Sequence, residues 1–337
     1  MLLKMPTIRQ WDNHYTLIEL ALPAHRVLFP LRIEMNQVIR PMQLATTLVH
    51  QGAMPIAVHA VSTFSRHFSA THRLDIHTDG SVDKFNQQIL IRAAGNIEVR
   101  IVTPEDRKTS LTARLRHYPR TRELIARGAY FTKLELPIVA DGPYFYFDSD
   151  IVWLRHVPSL TPTDHPNAFS TESWSWYYGI NNDRHWIKEK TPRRVNSGFY
   201  YVGEPFPHDR MEDLLQRKMF DPDLPHNTDQ EIMAYLFRDM AMYHPEDLKR
   251  SRVGIQYKFE EETCAALHFP GKMWISHMEK IKHLCESAEK TDAGIRFLEP
   301  VPLSHAELLR MRSYIALANS NLTQGPLSLY RWLRGLR

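Results

Sequence analysis

Hydrophobic positions along this chain follow two periods that take turns. "MPIAVHAVSTFSRHF" (54–68) spaces Ala57, Ala60, Val61, Phe64 and Phe68 three and four apart, which predicts a helix with one apolar face. "RLDIHTDGS" (73–81) predicts a short strand running into a glycine turn, and "NIEVRIVTP" (96–104) a strand closed by proline. "RVLFPLRIEM" (26–35) is strand-like but interrupted by Pro30. "TRELIARGAYFTKLELPIVA" (121–140) reads as a helix that Pro137 kinks or ends. In "PYFYFDSDIVWL" (143–154), four consecutive aromatic residues predict a buried strand. Further on, "GFYYVG" (198–203) is a strand, and "NTDQEIMAYLFRDM" (227–240) is a helix capped by Asn227 or Thr228. Residues 275–289 and 303–318 carry helical patterns, whereas 165–186 is rich in aromatic and polar residues without a clear period.

Alternating helices and strands through about residue 270 imply a three-layer α/β domain with a mostly parallel sheet. The sequence holds no internal repeat and no low-complexity linker. It therefore predicts one domain over residues 1–275, the first roughly 25 residues peripheral, with a helical extension over 276–337 packed on it.

Composition narrows the class. The 337 residues are 43% hydrophobic and 24% charged, as in globular chains rather than disordered ones. A net charge of +4 is too small an excess to make nucleic acid the main partner, though it permits a basic cleft for an anionic ligand. Cys264 and Cys285 form no C-x-x-C pair and cannot build a disulfide framework, which points to a reducing compartment. No apolar stretch has the length of a signal peptide core or a membrane span. The expected location is cytoplasmic. The basic, aromatic tail "LSLYRWLRGLR" reads as a packed terminal helix, or as a weak peripheral contact with the inner membrane face.

Candidate chemistry centres on Asp148 and Asp150. On extended backbone, residues i and i+2 share a face, so both carboxylates can converge on one cation. Oxygen ligands of this kind suit Mg²⁺ or Mn²⁺, usually completed by phosphate oxygens. The end of a buried strand is also where open α/β sheets bind ligands. A bare D-x-D recurs by chance, and the bland reading is a solvated turn. Three stretches downstream add to it. "VNSGFYYVG" offers Asn196, Ser197 and Gly198 where backbone can approach a ligand. "NTDQE" sets Asp229 and Gln230 at a helix start. "LHFPGKMW" supplies His268, Gly271 and Lys272.

In that order, "FTKLELP", "YFDSDIV", "NSGFYYV", "TDQEIM" and "HFPGKMW" resemble the nucleotide-sugar glycosyltransferases of the GT-A fold. The likeness is to the retaining glycogenin-like and lipopolysaccharide-galactosyltransferase-like family, over roughly residues 120 to 275. The resemblance implies a Rossmann-like α/β/α fold and transfer of a sugar from a nucleotide diphosphate donor, UDP-linked by expectation, to a hydroxyl of a glycan, lipid-linked or protein acceptor. It makes Asp148, Asp150 and His268 the metal ligands, with His277 in "WISHMEK" a rival third ligand. Ser149 and Gly198 would lie against the donor, Gly271 and Lys272 would bind its diphosphate, and Lys133 its phosphate or sugar. Asn196, Asp229 and Gln230 would line the donor sugar, and Asp79 in "HTDGSVD" would contact base or ribose. The aromatic segment around Trp174, Trp176, Tyr177 and Tyr178 either stacks on an acceptor sugar or packs as a loop.

Two other readings compete. "FDSDIV" also fits the nucleophile motif of haloacid-dehalogenase-type Mg²⁺ phosphatases, with Asp148 phosphorylated and Asp150 as general acid. That motif normally opens its domain, whereas here 147 residues precede it. The third reading is an inactive relative of the GT-A fold that binds a ligand without turnover.

Overall fold

The computed structural model describes residues 7–11, 15–21, 26–31, 42–128, 131–171, 195–217, 228–244, 247–250, 264–270, 273–287, 295 and 297–298. The chain forms two units, Met1–Met42 and Gln43–Arg337. In the first, strands β1 (Thr7–Trp11), β2 (Tyr15–Ala21) and β3 (Arg26–Leu31) form an antiparallel sheet in that order. Pro30, which donates no backbone hydrogen bond, falls on the edge strand β3, where the ladder tolerates it.

The second unit begins with β4 (Gln43–Val49), α1 (Met54–Phe68), β5 (His72–Thr78), α2 (Lys84–Ala94), β6 (Val99–Val102) and α3 (Pro104–Arg114). β4, β5 and β6 pair in parallel through the intervening helices. Local chemistry marks the turns: Asp83 caps α2 through the Asn86 amide, and Thr103 with Asp106 forms a capping box ahead of Pro104 on α3. Helices α4 (Pro119–Ala126) and α5 (Thr132–Val139) lead into β7 (Tyr144–Phe147) and β8 (Ile151–Trp153). Next come β9 (Asn167–Thr171), β10 (Val195–Val202), α6 (His208–Gln216), α7 (Thr228–Leu236) and β11 (Met240–Tyr243). Last among the described elements are β12 (Leu248–Arg250), β13 (Ala266–His268), a 3-10 turn at Met273–His277, α8 (Met278–Ser287) and β14 (Phe297–Leu298).

The main sheet runs β14-β11-β9-β10-β7-β4-β5-β6. It is mostly parallel: β10 runs against both its neighbours, β7 and β9, and β14 runs against β11. The period of two in "YFYF" divides the core between its faces. Tyr144 and Tyr146 pack with Leu134, Leu136 and Ile138 of α5 and Ile232 of α7. Phe145 and Phe147 pack on the other face with Ala57, Ala60, Val61 and Phe64 of α1. The three α/β/α layers expected from the alternating pattern are present. A small sheet, β12-β13-β8, is covered by α8 through Val152, Leu267, Ile281 and Leu284.

Several boundaries differ from the expectation. The helix foreseen over 121–140 is two helices, and it breaks at Gly128 rather than at Pro137. Gly128 adopts φ +109°, which ends α4, whereas Pro137 sits inside α5. The helix foreseen to residue 240 ends at Leu236, and Met240 already belongs to β11. The strand foreseen over 198–203 begins earlier, at Val195, so Asn196 and Ser197 also lie within β10, at a register shift against β9 between Asn196 and Tyr200. The helical pattern at 303–318, the C-terminal tail and the aromatic segment from Trp174 to Tyr178 lie outside the described residues.

Candidate functional site

The site is assembled by strand register. β7 ends at Phe147, and the chain turns through Asp148, Ser149 and Asp150 before β8, the turn closed by the Ile151 amide donating to the Asp148 carbonyl at 3.0 Å. On one side β10 pairs Phe199 with Phe147, and the Asp148 amide donates to the Gly198 carbonyl at 2.7 Å, so the Asn196–Gly198 segment lies along the first aspartate. On the other side β13 pairs with β8, His268 opposite Ile151, and the Phe269 amide donates to the Asp150 carbonyl at 3.0 Å. Backbone pairing thus brings a distant histidine to the two carboxylates.

The result is a compact donor set. Nε2 of His268 is 3.2 Å from Oδ1 of Asp150 and 3.7 Å from Oδ2 of Asp148. One ligand atom from each of the three lies within 4.8 Å of the others. Oδ1 of Asp150 is buried and accepts no hydrogen bond, leaving its lone pairs for an electrophile. Gly198 is the floor of this cradle: a Cβ there would lie 2.7 Å from Cε1 of His268 and 2.8 Å from Oδ2 of Asp148. Two carboxylate oxygens and an imidazole nitrogen, converging where no side chain fits, match a hard or borderline divalent cation. Among the described residues this is the grouping with that capacity, and its histidine is His268; His277 instead has Nδ1 3.0 Å from the Ser276 hydroxyl.

The other oxygen of Asp148 is held from α5 and β7. Nζ of Lys133 is 2.8 Å from Oδ1, and the Tyr146 hydroxyl donates to the same atom at 2.6 Å. Burial pushes the Asp148 carboxyl up, but the Lys133 ammonium and His268 outweigh it and hold the carboxyl below its ordinary value. Burial likewise works against the Lys133 charge, and Asp148 with Asp229 more than restores it, raising that group. Tyr146 is raised well above its usual range by burial and then by the Asp148 charge. At neutral pH the pocket therefore contains an ionised Asp148, a protonated Lys133 and a neutral, donating Tyr146.

Lys133 also faces the second acidic group. Its Nζ lies 3.7 Å from Oδ2 of Asp229 and 3.3 Å from both the carbonyl and the hydroxyl of Ser197. Ser197 in turn donates to Oδ2 of Asp229 at 2.5 Å. The Asn196 side chain accepts from the Gly198 amide at 2.7 Å. Asp148 and Asp229 therefore flank one ammonium, with Asp150 acting on it electrostatically, an acidic excess that a divalent cation would balance.

Of the residues singled out from the sequence, Asp148, Ser149, Asp150, Lys133, Asn196, Gly198, Asp229 and His268 form this one locus, with Gln230 beside Asp229 on the first turn of α7. Asp79 follows β5, and its Oδ1 accepts from the Ser81 amide at 2.9 Å and the Ser81 hydroxyl at 2.6 Å. Gly271 and Lys272 lie outside the described residues. Tyr146 and the Ser197 hydroxyl were not foreseen. The alternation in "YFYF" sets Tyr146 two residues before Asp148, on the same face, and could have indicated it; nothing in "NSG" announces the Ser197 contacts.

No protein-family model matches the sequence, and no curated protein does. Among solved structures, the chain is similar to the bifunctional glycosyltransferase WbbM, with TM-score 0.50 and 13% identity over 75% of this chain; it spans about half, 51%, of that one. The galactosyltransferase LgtC, solved with donor and acceptor sugar analogues, gives TM-score 0.44 and 15% identity over 74% of this chain and 97% of LgtC. Mouse xyloside xylosyltransferase 1 gives 0.46 and 12% over 69% and 99%. At such identities the likeness bears on fold alone. The chain has the three-layer fold of the GT-A glycosyltransferases.

Proposed function

We propose that this protein is a metal-dependent glycosyltransferase, moving a sugar from a nucleotide diphosphate donor, UDP-linked by preference, to a hydroxyl of a glycan, lipid-linked sugar or protein. The observation that carries the reading is the convergence of Asp148, Asp150 and His268 at the end of β7 in a GT-A fold. In this reading those three hold Mn²⁺ or Mg²⁺, which when bound supplies positive charge to the leaving diphosphate.

The chain's own residues do the rest. Lys133 and Tyr146 fix Oδ1 of Asp148, which leaves Oδ2 directed at His268 and Asp150. The bond to the diphosphate breaks with its electron pair as the acceptor oxygen bonds to the same face of the anomeric carbon, and the acceptor hydroxyl's proton passes to the departing diphosphate oxygen. The sugar passes through an oxocarbenium-like state, which the nearby Asp229 carboxylate stabilises. Asn196 and Gln230 line the sugar, Ser149 and Gly198 lie against the donor, Gly271 and Lys272 bind the diphosphate, and Asp79 contacts base or ribose. Retention at the anomeric carbon is the expected outcome of the family resemblance.

The phosphatase alternative loses support from the site. Oδ1 of Asp148, the supposed nucleophile, already takes two hydrogen-bond donors, and its strand lies mid-sheet, behind a complete β-α-β-α-β unit. The test is hydrolysis of UDP-, GDP- and CMP-sugars with Mn²⁺, paired with calorimetric titration of UDP with and without the metal. Asp150→Asn is expected to abolish turnover while leaving the circular dichroism spectrum unchanged. Full activity in that variant, or metal-independent UDP binding, would overturn the assignment. Among the described residues no helix is long and apolar enough to cross a membrane.

A further inference from the structure

The Ser197 hydroxyl occupies a position that a sugar-transfer site does not require of it. It is fully buried on β10, donates to Oδ2 of Asp229 at 2.5 Å, and is 3.3 Å from the Lys133 ammonium. A serine hydroxyl has one proton to give and two lone pairs to receive, so both contacts can be made together. Lys133 alone stands 3.7 Å from Asp229, beyond a good hydrogen bond, while sitting 2.8 Å from Asp148. Its charge is committed to the metal-facing aspartate, and the hydroxyl links it to the second one. We propose that Ser197 is a positioning residue, which acts through Asp229 by holding that carboxylate in one orientation beside Lys133 and toward the donor sugar. The inference rests on the sugar-transfer reading above and adds to it the residue that couples the cation-binding half of the site to the sugar-facing half.

Two features make this more than a packing contact. Ser197 lies at the register shift of β10 against β9, so its place is not dictated by an unbroken ladder. Its hydroxyl also donates to Asp229 at 2.5 Å, closer than the Lys133 ammonium, so alanine removes a partner from a carboxylate only 18% exposed. The freed carboxylate would turn toward solvent or fully onto Lys133, and either movement withdraws it from the sugar.

The experiment compares wild type, Ser197→Ala, Ser197→Thr, Asp229→Asn and the double variant Ser197→Ala/Asp229→Asn in the full chain. Turnover is followed as hydrolysis of whichever of UDP-glucose, UDP-galactose and GDP-mannose the wild type cleaves, with Mn²⁺. Binding of the corresponding nucleoside diphosphate with Mn²⁺ is titrated separately. Ser197→Ala is expected to lower kcat at least twentyfold, with KM and the nucleoside diphosphate Kd within twofold of wild type. Ser197→Thr, which keeps the hydroxyl, should recover activity to within fivefold, and Ser197→Ala should cost less than twofold once Asp229 is asparagine. A loss below threefold, a parallel loss of nucleotide affinity and kcat, or an undiminished loss in the Asp229→Asn background would overturn the positioning role while leaving sugar transfer intact. A wild type that neither binds a nucleoside diphosphate with Mn²⁺ nor hydrolyses any donor would overturn the sugar-transfer reading, and this proposal with it.

Discussion

Gly198 shows how tightly single positions are fixed at this site. Its missing side chain leaves room for Oδ2 of Asp148 and the edge of His268, and a methyl group there would stand under 3 Å from both. Gly198→Ala should therefore lower Mn²⁺ affinity by at least tenfold, measured by titration calorimetry. The fold should survive with a modest loss of stability, since overpacking by one methyl costs about 1–3 kcal/mol. Legibility at this scale followed chemical identity. Asp148, Asp150 and His268 could be picked out because few residue types bind metals and their order along the chain was informative. The roles of the Ser197 hydroxyl and of Tyr146 could not, because a serine and a tyrosine acquire them only from the neighbours that the fold brings within hydrogen-bond reach.

Among the elements, α5 carries Lys133 on one side and is braced from another. Arg107 of α3 is buried; its Nε donates to Oε2 of Glu135 at 2.6 Å, and its guanidinium also reaches the carbonyls of Thr78 at 3.0 Å and Val102 at 3.2 Å. One side chain thus joins the ends of β5 and β6 to the helix that presents Lys133. Removing one partner of such a pair strands the other, so Arg107→Met should destabilise by about 3–5 kcal/mol in urea unfolding, and adding Glu135→Leu should return part of it. The elements read most clearly from sequence were those with a strong periodic or aromatic signal, α1 and β7. Strand β4, central to the sheet, gave none: Thr46 and Thr47 are buried in it, and a short run with two hydroxyls does not look like a core strand. Strand β9 likewise lay in a stretch without a clear period.

Over the molecule as a whole, histidines set the response to acid. Burial, followed by neighbouring cations, lowers His77 to about 3, and burial lowers His67 and His72 to about 4. Each is neutral in the folded protein at pH 5, whereas the unfolded chain takes up a proton near pH 6.5. The folded state therefore binds fewer protons, and stability falls as pH drops from about 6.5 toward 4, by about 1.4 kcal/mol per pH unit for each histidine. Replacing His72, which lies edge-on to Phe64 and Phe68, with phenylalanine should flatten the measured slope by about that amount. The depressed Asp148 carboxyl works in a separate window: its contribution is present above pH 3.8 and lost only as pH falls through its lower folded value.

The pairing of His268 with Ile151 has a kinetic consequence. Those positions are more than a hundred residues apart in sequence, whereas β4, β5 and β6 join through short local connections. Closing so long a loop is entropically unfavourable until the sheet exists to receive it, so the parallel half can form early and the cation pocket only near the end. A nascent chain would then pass through a stage with its aspartates in place and no histidine beside them. Competence to hold the ion would arrive with β13 rather than with the core.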